Sequence, residues 1–220
     1  MSELDGALEP GSEAAPARSV RERLIMAGEQ LFAEHGWNGV SIRTIAAAAG
    51  VSLAALNYHF GVKEHMLAEI FAARARPIAE ARVRRLDELE ASGGVMLEQV
   101  LDAFLRPAFS ADVGGRIFAR LRARLGTEHE AFSRRILSDA FDESSKRYVT
   151  ALARLLPELP EAELAWRFHF MLGTMVYTMA DSGRIQALTN GACDPGEVET
   201  ALSRLVPFLA AGFRAALPPT

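Results

Sequence analysis

The chain has 220 residues, half of them hydrophobic and 24% charged, enough for one sizeable core with a small module attached. Its net charge of −4 is opposite in sign to that of a chain coated in nucleic acid, and its single cysteine, Cys193, excludes an internal disulfide and a Cys/His zinc cluster. A reducing cytoplasm is the expected setting: no signal-peptide pattern opens the chain, and the most apolar stretch, Trp166 to Ala180, carries Arg167 and His169 and is shorter than the roughly 20 residues a spanning helix needs.

Residues 1–17 hold Gly, Pro, Ala and acids without Lys or Arg, show no apolar periodicity, and read as a disordered tail. Ser19 and Glu22 form a Ser-x-x-Glu capping box, after which Val20, Leu24, Ala27 and Leu31 recur on one helical face until Gly36 and Gly39. Ser41 caps a second helix that repeats Ile42, Ile45, Ala46 and Ala49 and stops at Gly50. A third begins at Ser52. Longer helical segments follow, separated at Ser92-Gly93-Gly94, Gly114-Gly115, Pro157 to Pro160 and Asp181 to Pro195. Pro77 is expected to kink or break the segment from Lys63 to about Leu89. No strand-like alternation of useful length occurs, so the predicted class is all-α.

The two short helices around Gly50 have helix-turn-helix spacing: the glycine permits the tight turn, Ala46 and Ala49 permit close approach, and Val51, Leu56 and Phe60 anchor the second helix. No Asp or Glu lies between Glu34 and Glu64, so this part of an acidic chain is free of negative charge. Ser52, Leu53, Ala54 and Asn57 are predicted to meet base edges, with Asn57 able to pair bidentately with adenine; Tyr58, His59 and Lys63 are predicted to meet phosphates.

The run Gly50-Val-Ser-x-x-x-Leu56-x-x-x-Phe60-Gly-x-Lys63-Glu64, preceded by Leu31-Phe-Ala-Glu-His-Gly-Trp37 and Ser41-Ile-Arg-Thr-Ile-Ala46, resembles the DNA-binding domain of the TetR family over residues 19 to 67. The resemblance implies a DNA-binding domain over residues 18–63, with Ser41 and Arg43 of the second helix also at the DNA, and an effector-binding and dimerisation domain over residues 64–216. Leu53 and Asn57 depart from the polar and aromatic residues common there in the family. It further implies a homodimer joined through two last long helices, about Glu161 to Asp181 and Pro195 to Ala216. Two recognition helices would then enter major grooves about 34 Å apart on a palindromic operator, to be released by an effector.

The segments Leu86-Asp-Glu-Leu-Glu90 and Val100-Leu-Asp-Ala-Phe-Leu-Arg-Pro107 resemble the branch of that family responding to fatty acids or acyl-CoA. Such an effector needs an apolar tunnel, for which Phe104, Phe118, Leu121, Trp166, Phe170, Met171 and Met175 are the candidates, with Arg120, Arg122 or Arg124 for an acidic head group. The stripe Trp166 to Met179 fits a core or a dimer interface equally well, and His169 fits packing there better than metal ligation. Arg74, Arg76, Arg82, Arg84 and Arg85 could form a basic patch but read better as a solvated helix face, and are not assigned to DNA. No nucleophile motif, metal-ligand pair or nucleotide loop points to an enzyme or a cofactor, whereas a small-molecule binder that reads no DNA stays compatible with the acidic balance.

Overall fold

Three serines start the first three helices in the computed structural model, which describes residues 18–110, 115–128, 130–180 and 183–217; the predicted tail lies outside them. At α1 (Val20–His35) the Ser19 hydroxyl accepts from the Glu22 amide at 3.2 Å while the Glu22 carboxylate accepts from the Ser19 amide at 2.8 Å, which closes the capping box. Ser41 accepts from the Thr44 amide to open α2 (Ile42–Ala48), and Ser52 accepts from the Ala55 amide to open α3 (Leu53–Phe60), both at 3.1 Å. Each cap contributes about 1 kcal/mol by satisfying an amide that has no partner inside its helix. Gly50, at φ +64°, makes the turn between α2 and α3. A side chain is strained in that left-handed region, which explains the glycine.

The helix α4 (Lys63–Ser92) runs through Pro77 without a break, so of the kink or break expected there the break does not occur. Proline removes one helical hydrogen bond, but Phe71, Ala75 and Ile78 on either side are at most 1% exposed, and that burial holds the helix together across the defect. Six helices follow: α5 (Leu97–Phe109), α6 (Gly115–Thr127), α7 (Ala131–Leu155), α8 (Glu161–Ala180), α9 (Arg184–Leu188) and α10 (Val198–Arg214). No strand occurs among the described residues, and none of the helices is long and apolar enough to cross a membrane. Gly93–Gly94 and Pro157–Pro160 fall between helices as expected, whereas Ser92 is the last residue of α4 and Gly115 the first of α6, with Gly114 outside the described residues. Within Asp181 to Pro195, read as a connection, α9 is an addition; it buries none of its residues, so it has no apolar stripe for a pattern to reveal.

α1 packs on α4 and α6, α4 on α5 and α7, α6 on α8, and α10 on α5 and α8. Gly28 permits the first of these approaches: a Cβ there would lie 2.7 Å from Ile70 Cδ1 and 2.9 Å from Met66 Cε, both fully buried. The centre of the C-terminal bundle is aromatic. Phe104 meets Tyr148 at 5.0 Å and Phe168 at 5.3 Å, and Phe71 meets Phe118 at 5.0 Å and Phe141 at 5.9 Å, distances at which tilted and edge-to-face rings attract.

Candidate nucleic-acid interface and interior site

Leu56 and Phe60 are the buried residues of α3, and their one-turn spacing fixes which face turns outward. Ser52, Ala54, Asn57 and Tyr58 are exposed on it, Tyr58 at 86%, with Ser41 and Arg43 exposed on neighbouring α2. His59 is half-buried, its ring 5.3 Å from that of Tyr58. The outward face carries no carboxylate and is the size of a helix that fits a major groove. Leu53, expected to project, is also half-buried, since it lies one turn before Leu56 on the inward side. The hydroxyls of Ser41 and Ser52 are engaged as caps; that of Ser41 also shares a 2.8 Å hydrogen bond with the Thr44 hydroxyl, whereas Ser52 keeps its proton to donate. Arg23, passed over in the sequence, stands exposed beside the helix-turn-helix turn, its Nη1 3.7 Å from the position of a Cβ on Gly50. Only the fold brings α1 to that turn, so no local motif marked it.

Lys63, expected as a phosphate clamp, has its ammonium turned inward: it donates to the Trp37 carbonyl and sits 3.9 Å from the centroid of the indole ring. Burial lowers its pKa, an effect that the carboxylates of Glu128 and Glu64 oppose. Trp37 gathers further contacts: Phe132 of α7 lies 4.3 Å away and Glu128 accepts from the Trp37 amide at 3.2 Å. Arg124 of α6, a candidate for an effector head group, instead donates to the Ala33 and Glu34 carbonyls at the end of α1, at 2.7 and 2.6 Å. Those carbonyls have no partner inside α1, so the guanidinium is both their hydrogen-bond donor and a favourable charge at the helix C-terminus. Arg74 of α4 grips buried Glu29 of α1 through three hydrogen bonds of 2.8 to 3.2 Å.

Five of the seven residues predicted to line a ligand tunnel, Phe104, Phe118, Leu121, Met171 and Met175, meet in the interior at no more than 1% exposure. Trp166 and Phe170 do not: they are 58% and 60% exposed on the opposite face of α8. Leu164, Phe168, Met171 and Met175 take the inward positions, and Trp166 and Phe170, one turn apart, fall outside that stripe. They share the outer surface with Tyr177 and with Phe208 of α10, an exposed aromatic face of the kind that marks association. His169 is exposed on this face, its ring 6.0 Å from Trp166. Among the head-group candidates Arg120 is exposed and Arg122 is buried.

Arg82, read as part of a solvated face, is completely buried. It continues the inward stripe Phe71, Ala75, Ile78 and Leu86 at three- and four-residue steps, a signal that the sequence did contain. Its Nε donates to the Phe104 carbonyl at 2.8 Å, its Nη2 approaches Met175 Sδ at 3.5 Å, and its guanidinium lies 3.7 Å from the centroid of the Phe104 ring. The Tyr148 hydroxyl donates to the Arg82 carbonyl at 2.8 Å, and burial raises the Tyr148 pKa well above its ordinary value. A cavity of about 180 Å³ lies between α5, α6, the end of α8 and the start of α10, against Phe109, Ala119, Met179 and Val198.

Comparison with known proteins bears on both halves of the chain. Residues 24–70 match the model of bacterial regulatory proteins of the tetR family, and residues 98–212 match a tetracyclin repressor-like C-terminal domain. The HTH-type transcriptional repressor AcnR of Corynebacterium glutamicum is 33% identical over 60 residues, 27% of this chain and 32% of that protein, so the match spans about a third of the curated relative. The TetR family transcriptional regulator PfmR of Thermus thermophilus shares the fold with a TM-score of 0.60 at 20% identity, over 92% of this chain and 100% of that one. FadR of Bacillus subtilis, solved in complex with stearoyl-CoA, does so with a TM-score of 0.57 at 18% identity, over 87% and 98%.

Proposed function

The chain belongs to the TetR family of transcriptional regulators, whose members are not enzymes, and from that premise we propose that it is a homodimeric repressor released from a palindromic operator by an apolar effector. The observation that carries the DNA half is the outward face of α2 and α3, where Arg43, Ser52, Ala54, Asn57 and Tyr58 stand exposed with no acidic residue among them. The proposed domain division follows the motif, with residues 18–63 for DNA and 64–216 for effector and partner. The exposed aromatics of α8 and α10 support association through those helices, which sets two recognition helices at a fixed separation.

A fatty acid or its CoA thioester is the effector class we propose. Its support is the interior of Phe104, Phe118, Leu121, Met171 and Met175 and the shared fold with a regulator solved with stearoyl-CoA. The test is to incubate the protein with sheared DNA from its own genome, sequence what is retained, and repeat with dodecanoate and dodecanoyl-CoA. An enriched inverted repeat lost on adding either compound is the expected result. Failure to enrich any sequence at low salt would overturn the repressor reading, and enrichment untouched by either compound would overturn the effector class.

A further inference from the structure

Two arginines in the interior carry charge that no carboxylate among the described residues neutralises. Arg82 of α4 is 0% exposed and Arg122 of α6 is 7% exposed. Among the described residues no carboxylate pairs with either, and each has one terminal nitrogen, Nη1, buried without a hydrogen-bond partner. Both lie against the Phe141 ring, with guanidinium carbons 5.5 and 4.5 Å from its centroid, and they are near enough for the charge of one to act on the other. Burial pushes the pKa of both down, Arg122 to about 10, and the charge of Arg122 depresses Arg82 further. Guanidinium groups nevertheless keep their protons at neutral pH, and stacking on aromatic faces replaces only part of the lost hydration. Removing such a charge from water without a partner is strongly unfavourable.

We infer that Arg82 and Arg122 form a receptor for the carboxylate of a free organic acid, whose apolar chain lies among Phe104, Phe118, Met171 and Met175. This rests on the apolar-effector reading and narrows it. A carboxylate has two oxygens, one for each unpartnered Nη1, and supplies the missing negative charge. An alcohol supplies no charge, and the thioester carbonyl of an acyl-CoA supplies none at the end of its chain. The 180 Å³ cavity lined by Phe109, Ala119, Met179 and Val198 is a separate space, and an acyl chain would have to part the packed side chains of Phe104, Phe118, Met171 and Met175 to reach the two arginines. Arg124, fastened to α1, and exposed Arg120 have no part in it.

The experiment is titration calorimetry and thermal melting of the full chain with dodecanoate, dodecanol and dodecanoyl-CoA, repeated with Arg122→Met, Arg122→Lys and Arg82→Met. Dodecanoate is expected to bind at least tenfold more tightly than dodecanol. Arg122→Met abolishes that preference, Arg122→Lys retains part of it, and neither loses helix content; without any probe, Arg122→Met melts no lower than the parent because an unpaired charge is gone. Should Arg82→Met fail to fold, the two Arg122 variants decide. Equal binding of acid and alcohol, tighter binding of the thioester, or a preference for the acid that survives Arg122→Met overturns the carboxylate receptor while leaving the apolar-effector reading intact. Binding of none of the three overturns both.

Discussion

Lys63 and Arg43 are both cations near the DNA face, and their surroundings assign them different tasks. Removing Lys63 deletes a cation–π contact and a hydrogen bond to the Trp37 carbonyl. Lys63→Gln should therefore lower stability by about 1–2 kcal/mol in a urea titration, with little change in the salt dependence of DNA binding. Arg43 is exposed, so Arg43→Ala should leave stability alone and reduce the slope of log affinity against log salt by about 1. A reduced slope for Lys63→Gln would restore that residue to the phosphate backbone. The same contrast shows what the sequence disclosed at this scale. Spacing told which residues of α3 point outward, apart from Leu53, because Leu56 and Phe60 define the inward side. It did not tell where a flexible lysine sends its ammonium, since that depends on Trp37, 26 residues away in the chain.

Tyr148 provides a pH test among single residues. Its folded pKa is raised by burial, so its contribution to stability is complete below the unfolded value of about 10 and is lost as pH rises through it towards the folded value. Denaturation midpoints of the parent should fall above pH 10, and Tyr148→Phe, although less stable at neutral pH for want of its bond to the Arg82 carbonyl, should show a shallower fall.

Among elements, α1 owes part of its stability to a charged partner on α4. Its Glu29 is 4% exposed and compensated by Arg74, so Arg74→Ala should destabilise the chain by roughly 3 kcal/mol by leaving a carboxylate buried and unpaired, measurable as a lower urea midpoint. Capping serines and glycine stops made α1, α2 and α3 legible to within a residue or so, because each boundary is written in the residues that form it. The passage of α4 through Pro77 was not legible, because a local rule was outweighed by burial against helices far along the chain. The solvated reading of Arg82 failed for a related reason: charge was allowed to override a periodic position that the apolar residues around it had already defined.

For the whole molecule, the link between the two halves is the cluster around the end of α1. α6 bears Arg122 towards the interior and, two residues on, Arg124 on the α1 carbonyls; α4 runs directly from the recognition helix to Arg82. On the proposed mechanism, a shift of α6 or α4 at the interior would reach α1 and α3 through these short hydrogen bonds and this continuous helix. Arg124→Met should leave dodecanoate affinity within about threefold while weakening its effect on operator affinity, a loss of coupling on the order of 1–2 kcal/mol readable by comparing both affinities with and without the other ligand. Equal coupling in parent and variant would place the route elsewhere.

The chain has two tryptophans, and the fold sets them apart. Trp37 lies at the junction of the two halves beneath an ammonium group, whereas Trp166 stands 58% exposed on the aromatic face of α8. Their emission should therefore separate into two colours with independent meanings. The exposed indole should emit to the red and, in the proposed homodimer, shift to the blue as a second subunit covers it, so its spectrum would follow protein concentration. The junction indole, with a cation over its ring, should change brightness if α1 and α6 part, so on the proposed mechanism its intensity would follow effector and operator. A Trp166→Phe variant would leave an intrinsic optical reporter of the junction alone.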